Sequence, residues 1–171
     1  MREFRLAPMS PTIWGLTLVV FAIAVGVPTA MAFAPPREFA LWFAPAIAVF
    51  LAVVLVFVWA WWRPRRFEVS SEGLRIVWPL QQRFIPRGEI TAVRRVEKAE
   101  LGWTIRTWGA GGFLGGFGRF RSRKLGPLEV YVSRSDGMVF VERAGARPLL
   151  LTPERPEEFV EEVSVAMNVG R

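Results

Sequence analysis

Residues 39–66 read FALWFAPAIAVFLAVVLVFVWAWWRPRR, and residues 39–62, 24 in all, carry no charge. An uncharged apolar run of about 20 residues is the length that an α-helix needs to cross a bilayer. Tryptophans near the end of such a run suit the headgroup level, and arginines directly after it suit the cytoplasmic side. The stretch therefore predicts a transmembrane helix over residues 39–62, followed by cytoplasmic chain. The flanking residues that carry this prediction are Trp59, Trp61, Trp62, Arg63, Arg65 and Arg66.

A first apolar segment, residues 13–34, precedes this stretch and predicts another transmembrane helix. Residues 35–38 then form the short outer turn of a helical hairpin. Residues 1–12 form a polar leader, which lies on the cytoplasmic side together with the C-terminal domain of residues 63–171. The order predicts an integral, multi-pass membrane protein whose N- and C-termini are both cytoplasmic.

A secretory signal peptide is the competing interpretation of the first segment. The basic start, the apolar run and the small residues Ala30 and Ala32 resemble a signal with its cleavage site. Against this, the run is longer than the usual signal core of about 7–15 residues, and a second span follows almost at once. Both interpretations leave the C-terminal domain in the cytoplasm, because the arginines after residue 62 fix that side.

The composition excludes several classes of function. The chain has no cysteine and no histidine, so it lacks a thiol nucleophile, a thiolate metal site, and the commonest general base and metal ligand. Neither predicted span contains a charge, which argues against a proton relay or an ion pathway. The carboxylates Glu89, Glu97, Glu100 and Glu129 show no spacing that singles out a catalytic pair. We therefore predict no enzyme activity, no cofactor and no metal.

The net charge of +7 is unevenly distributed. Residues 63–134 contain 15 basic and 6 acidic side chains, whereas residues 135–171 contain 4 and 7. The basic excess close to the second span has two interpretations: an ordinary positive-inside bias, or a surface that rests on anionic lipid headgroups. No nucleic-acid-binding motif accompanies it, so nucleic acid is not a predicted partner.

The C-terminal domain is predicted to be a small, mainly β unit closed by one helix. Phe159, Val163 and Met167 recur every four residues after Pro156, which predicts an amphipathic helix packed on the sheet. Trp78 and Phe140 are predicted core residues, as is Tyr131. Alternating apolar residues and turn signals predict six or seven short strands, at residues 67–69, 74–78, 82–85, 90–96, 128–132, 138–143 and 147–151.

Residues 101–124 are rich in glycine and fit neither the P-loop nor the GxGxxG motif. One interpretation is a loop between strands, in which glycine permits tight turns. The other is an apolar tip that dips into the inner leaflet, with tryptophans at the interface and arginines on headgroup phosphates. The residues predicted to contact anionic lipid or a partner are Arg63, Arg65, Arg66, Trp103, Trp108, Phe113, Leu114, Arg119, Arg121, Arg123 and Lys124.

Several short motifs resemble the membrane-anchored bacterial PH-like domain family: GGFGRFR at residues 115–121, LG at 125–126, Tyr131 in its strand, VFVE at 139–142 and TPERPEEF at 152–159. The resemblance covers residues 67–165. It implies a PH-like split barrel of two antiparallel sheets with one C-terminal capping helix. Arg155 departs from the Asp that commonly caps this helix, so weaker capping is expected there. The resemblance implies a fold and a bacterial inner-membrane context, and it carries no activity.

The predicted function is a non-enzymatic, membrane-tethered cytoplasmic module that acts as an interaction or scaffold domain at the inner leaflet. Its predicted partners are the bilayer, anionic lipid headgroups and a membrane or cytoplasmic protein. The alternative is an accessory subunit of a larger membrane complex, whose hairpin helices pack against partner helices. The small residues Gly15, Ala22, Ala24 and Gly26 would permit that close approach.

Overall fold

The structure, a computed structural model, describes residues 1–32, 37–111 and 115–169. Two long helices, α1 (Pro11–Ala32) and α2 (Arg37–Trp62), are followed by a mainly β domain. The helices lie near the predicted spans, although α1 begins two residues earlier than expected, at Pro11. Of the predicted outer turn at 35–38, residues 35 and 36 lie outside the described residues, whereas Arg37 and Glu38 belong to the first turn of α2, which begins two residues earlier than predicted. Both helices are long and apolar enough to cross a membrane, over Pro11–Pro28 and Pro45–Trp62.

The first sheet has four antiparallel strands in the order of the sequence. Strands β2, β3 and β4 of this sheet match the first three predicted strands. The sequence predicts them because their apolar residues alternate and a glycine or proline ends each alternating run. The strands of this sheet are β1 (Arg2–Arg5), β2 (Arg66–Ser70), β3 (Gly73–Val77) and β4 (Gln82–Pro86).

The prediction of a polar leader over residues 1–12 missed a strand. Residues Arg2–Arg5 form β1, which pairs with β2 so that Phe4 lies opposite Phe67. Phe4 is buried, while the residues on either side of it are exposed. Four residues with one apolar side chain are too short to give a period-2 signal in the sequence. The N-terminus is thus part of the β domain.

The second sheet has six strands in the order β5-β9-β10-β8-β7-β6. The expectation of wholly antiparallel sheets was wrong for one pair, since β10 lies between β8 and β9 and runs parallel to β8. The strands are β5 (Ile90–Val96), β6 (Thr104–Gly111), β7 (Gly116–Ser122), β8 (Gly126–Val132), β9 (Met138–Arg143) and β10 (Leu149–Leu151), with the short helix α3 (Lys98–Leu101) between β5 and β6.

The glycine-rich segment is mainly β-structure, which corrects the loop interpretation of residues 101–124. Strands β6 and β7 form an antiparallel pair in which Gly109 faces Gly118. Both glycines have positive φ, and a Cβ on Gly118 would lie 2.4 Å from the Trp108 carbonyl oxygen. The glycines therefore permit a close approach of two strand backbones. With β1, β6 and β7 added, the described strands exceed the six or seven predicted.

The main core lies between the two sheets and is closed by α4 (Pro156–Met167). Phe159, Val163 and Met167 are all buried there, which confirms the predicted helical stripe. Arg155 precedes this helix without a side-chain capping hydrogen bond, as its departure from the family pattern predicted. Trp78, Tyr131 and Phe140 are buried as predicted, although Phe140 belongs to a second apolar cluster.

Candidate functional site

The C-terminal end of α2 is attached to both sheets. The indole Nε1–H of Trp78, after β3, donates to the Trp62 carbonyl oxygen at 3.1 Å. The Trp62 ring lies 6.3 Å from the ring of Trp108 in β6, measured between centroids. Gln81 adds a hydrogen bond from its side-chain amide to the Trp61 carbonyl, at 3.0 Å. These contacts fix the C-terminal end of α2 relative to the β domain.

The segment between β1 and α1 is attached to the same domain. The amide of Ala7 donates to the Thr152 carbonyl at 2.9 Å, and the Ser133 hydroxyl donates to the Ala7 carbonyl at 2.6 Å. The amide of Ser10 donates to the Ser133 carbonyl at 3.2 Å. Because Ala7, Ser133 and Thr152 are buried, these bonds are shielded from water. Both apolar helices thus leave the β domain from fixed points.

Two of the predicted arginines lie at the end of α2. Arg63 and Arg65 line a small cavity of about 280 Å³ together with Leu6, Trp59 and Pro64. The Arg65 guanidinium also lies 5.9 Å from the centroid of the Trp59 ring. Partial burial lowers the pKa of Arg63 from its ordinary value. Neither guanidinium has a carboxylate partner within the described residues, so this cavity presents positive charge without internal compensation.

Two other predicted contact residues have structural partners instead. The Nε of Arg66 lies 2.7 Å from a carboxylate oxygen of the buried Glu68, and this hydrogen bond raises the pKa of Arg66. Lys124 donates from Nζ to the Ala99 carbonyl at 2.9 Å, joining the end of β7 to α3. These two side chains are therefore engaged within the domain.

The remaining predicted residues divide between the faces of the second sheet. Arg119 pairs with Trp108 across β6 and β7, so these two side chains share a face near the end of α2. Arg121 follows on that face and pairs with Ile105. Trp103, by contrast, lines a cavity on the opposite face of the sheet.

Phe113 and Leu114, the predicted apolar tip, lie outside the described residues. Arg123 is exposed after β7, and its backbone amide donates to the Trp103 carbonyl at 2.9 Å. Within the part of the chain that the structure describes, the side chains of Arg119, Arg121 and Arg123 have no carboxylate partner.

Two exposed apolar residues near the same end of the domain were not predicted from the sequence. Leu80 is 63% exposed and precedes Gln81, which is bonded to α2. Ile105 is exposed beside Arg121. The exposure of Leu80 could have been predicted from the sequence. This apolar residue lies between Pro79 and Gln81, outside every predicted strand, so no alternating pattern places it in the core. We call Arg63, Arg65, Leu80, Trp108 and Arg119 the helix-proximal group.

Several acidic residues of the domain serve as structural ion-pair partners. Glu129 accepts hydrogen bonds from Arg83 at 2.8 Å and from the buried Arg143 at 3.0 Å. Glu100 closes the capping box of α3, and the backbone of Glu97 together with Arg94 lowers its pKa. Among the described residues, no three acidic side chains come together as a metal site. The helix-proximal group thus places positive charge and exposed apolar side chains beside the C-terminal end of α2.

Comparisons with known proteins agree with this architecture. The family model described as bacterial PH domain matches residues 65–167, from the start of β2 to the end of α4. No curated protein and no solved structure matched the chain. PH domains are generally non-catalytic interaction modules. The match excludes β1 and both long helices, so it describes the β domain and not its attachment. With two sheets, a C-terminal helix and a match over more than half of its length, the chain belongs to the bacterial PH domain family.

Proposed function

We propose that the protein is a membrane-tethered interaction module, in which α1 and α2 cross the bacterial inner membrane as a hairpin and hold the PH domain at the inner leaflet. The exposure of the helices supports this. Only 11% of the Pro11–Pro28 window is buried, and among the residues of Pro45–Trp62 whose burial the structure describes, Ala60 alone is buried. Two helices with apolar side chains on nearly every face would expose far more apolar surface to water than soluble proteins do.

Strand order supports the hairpin independently. β1 precedes α1 and β2 follows α2, yet Arg5 pairs with Arg66 in antiparallel register. The chain must therefore leave the domain and return to the same side. Signal cleavage after Ala32 would remove β1 and its buried Phe4, so strand pairing favours a retained first helix.

The distribution of arginines supports the orientation. Arg2 and Arg5 precede α1, and Arg63, Arg65 and Arg66 follow α2, whereas Arg37, in the first turn of α2 and next to Glu38, is the only basic residue in the sequence between Arg5 and Arg63. Basic residues concentrate on the cytoplasmic side of membrane helices. Both termini are thus assigned to the cytoplasm.

The observation that carries the proposed contact is the helix-proximal group. Its three arginines lack carboxylate partners among the described residues, and Trp62 at the end of α2 lies beside Trp108. Basic side chains at this level would meet anionic headgroups, and each basic side chain would contribute about 1 kcal/mol to the binding of the domain to the membrane surface. Because the hairpin already holds the domain at the surface, weak intrinsic affinity is sufficient.

Hydrogen exchange of the full chain in nanodiscs tests this contact. In phosphatidylglycerol nanodiscs, we expect stronger protection of β6, β7 and the Leu80 loop than in phosphatidylcholine nanodiscs. High salt should reduce the difference, since the contact is electrostatic. The variant Arg119→Gln should lower protection by about fivefold, equivalent to ~1 kcal/mol. Arg147→Gln, an exposed arginine in the turn between β9 and β10, is the matched control. Equal protection in both lipids would contradict the lipid contact.

A second candidate is the accessory subunit of a larger membrane complex. The two helices leave an apolar cavity of about 390 Å³ between them, lined by residues such as Val20, Ile23 and Leu51. Gly15 and Gly26 have open space where a side chain would stand, so they could receive a partner helix. Purification in mild detergent tests this function. A stoichiometric membrane partner that is lost on Gly26→Leu supports it, whereas a partner-free chain contradicts it.

A further inference from the structure

The six-stranded sheet is apolar on both faces. One face forms the main core, and the other carries a second cluster that includes Leu128, Val130 and Phe140. α3 contributes Leu101 to this cluster. Beside α3 the cluster opens into a cavity of about 380 Å³, which we call the outer-face cavity.

The lining of the outer-face cavity determines what it can hold. Its walls include Phe120, Val130, Met138 and Leu150, and nearly all of its surface is apolar. A sugar, a nucleotide or an extended peptide would bury polar groups there without hydrogen-bond partners, at a cost of a few kcal/mol each. The volume falls in the lower part of the range for small-ligand pockets. The lining and the volume therefore favour a slender, apolar chain as occupant.

The cavity opens beside the start of α1. Ile13, in the first turn of that helix, lines it together with Val132 and Gly116. The apolar window of α1 begins two residues earlier, at Pro11. If α1 crosses the bilayer as proposed, the mouth of the cavity lies at the headgroup level. An acyl chain could then enter from the leaflet without passing through bulk water.

Two basic side chains border this apolar space. Lys98, the first residue of α3, and Arg134, after β8, both line the cavity. Arg134 donates to the Asp136 carbonyl at 3.2 Å and has its Nε 3.8 Å from the exposed Asp136 carboxylate, whereas Lys98 has no carboxylate partner within the described ranges. An apolar chamber with cationic groups at its edge complements an anionic amphiphile.

We propose that the outer-face cavity binds one acyl chain of an anionic phospholipid from the inner leaflet, with Lys98 and Arg134 near its phosphate. This proposal rests on the proposed membrane tether, and it adds a lipid site on the sheet face opposite the helix-proximal group. Binding there would fix the domain to one lipid molecule, in addition to its contact with the membrane surface. An inserted α-helix is a poorer occupant, because two turns of a helix about 10 Å wide fill about 800 Å³.

Photo-cross-linking of the full chain tests this site. The probe is phosphatidylglycerol with a diazirine at the end of one acyl chain, incorporated into nanodiscs, and cross-linked peptides are identified by mass spectrometry. We expect labels on α1 and α2 and, in addition, on Val132 and Met138 in the cavity. The same probe with a phosphatidylcholine headgroup should label the helices equally but the cavity less.

Three variants and one control make the test more specific. Val132→Trp fills the cavity mouth and should remove the label from Met138 while the helix labels remain. Thr104→Trp, at an exposed rim position, provides a second block if the first variant does not fold. Lys98→Glu should reduce the cavity label from phosphatidylglycerol. Arg147→Glu, which makes the same charge change away from the cavity, should leave it unaltered.

The outcomes separate this proposal from the tether itself. Helix labels without cavity labels would overturn the acyl site and leave the tether intact. Absence of labels from both helices would overturn the tether. Equal cavity labelling by the two headgroups, unaffected by Lys98→Glu, would overturn the anionic assignment. Cross-links between two chains through the cavity would identify a second copy as its occupant and overturn the lipid proposal.

Discussion

Phe4 and Phe67 lie opposite each other across β1 and β2, although both long helices stand between them in the sequence. Both rings pack edge-to-face on Phe159 of α4, at centroid distances of 5.2 Å and 6.0 Å. The helical hairpin is therefore an insertion between two adjacent strands of the β domain, and not an N-terminal appendage to it. This arrangement connects the position of the helices to the stability of the fold.

Phe4→Ala should destabilise the β domain strongly. The side chain is 2% exposed, and truncating a buried phenylalanine costs about 3–5 kcal/mol. Denaturant unfolding in detergent, followed by near-ultraviolet circular dichroism, measures the change in the free energy of unfolding. Arg5→Ala, at an exposed position of the same strand, is the control and should have little effect. Equal stability of the Phe4→Ala variant and the wild type would show that β1 is dispensable.

Gly118→Ala should destabilise the β6–β7 pair. Gly118 has φ of +120°, and a methyl group there would lie 2.4 Å from the Trp108 carbonyl oxygen. Such strain costs about 1–3 kcal/mol. Gly116→Ala in the same strand is the control, since its Cβ would meet Phe120 and Val130 at ordinary contact distances of 3.6 Å and 3.7 Å. Hydrogen exchange in β6 and β7 should increase for the first variant alone, and similar exchange in both would refute the steric argument.

The glycine-rich strands illustrate what sequence pattern can and cannot predict. The helix at residues 156–167 and the strands near residues 74 and 130 have clear periodicity, so the sequence predicts them correctly. β6 and β7 carry glycine in place of alternating apolar residues, because their backbones approach closely, and glycine in a sequence ordinarily indicates a loop. Their pairing is local, since Gly111 lies opposite Gly116, but the glycines conceal the alternation that would have predicted two strands.

The candidate site shows the same limit. Sequence alone indicates that arginines follow the second apolar run, and Arg63 and Arg65 do line a cavity at the end of α2. It does not indicate that Arg66 is paired with Glu68, since that partner is recognised only through the strand geometry. Nor does it separate Trp103 from Trp108, which lie on different faces because the chain turns before β6.

Glu129→Ala should destabilise the domain through its buried partner. The Arg143 side chain is 1% exposed and would lose the carboxylate that neutralises it. Removing one member of a buried ion pair costs about 3–5 kcal/mol. Glu158→Ala breaks the exposed pair with Arg155 and should cost no more than ~1 kcal/mol. Denaturant titrations of the two variants provide the comparison, and similar losses would contradict a special role for burial.

Tyr131 should ionise only at alkaline pH above its ordinary range. Burial raises the pKa of its phenol, and the nearby Glu129 charge raises it further. Above pH 10 the unfolded phenol loses its proton while the folded one retains it, so stability present below pH 10 decreases as the pH rises. Tyr131 is the only tyrosine, so ultraviolet absorbance reports its ionisation directly. Tyr131→Phe should remove this part of the alkaline decrease in stability. A midpoint of the absorbance titration at or below pH 10 would contradict the raised pKa of Tyr131.

The membrane hairpin is the central claim, and the absence of cysteine from the chain permits a direct test of it. Single cysteines are placed at Glu38, in the first turn of α2, and at Ser71, in the exposed turn after β2. Intact bacterial spheroplasts are then treated with a membrane-impermeant maleimide. The account predicts that Glu38→Cys reacts in intact spheroplasts and that Ser71→Cys reacts only after lysis. Reaction of Ser71→Cys in intact spheroplasts, or protection of Glu38→Cys until lysis, would contradict it.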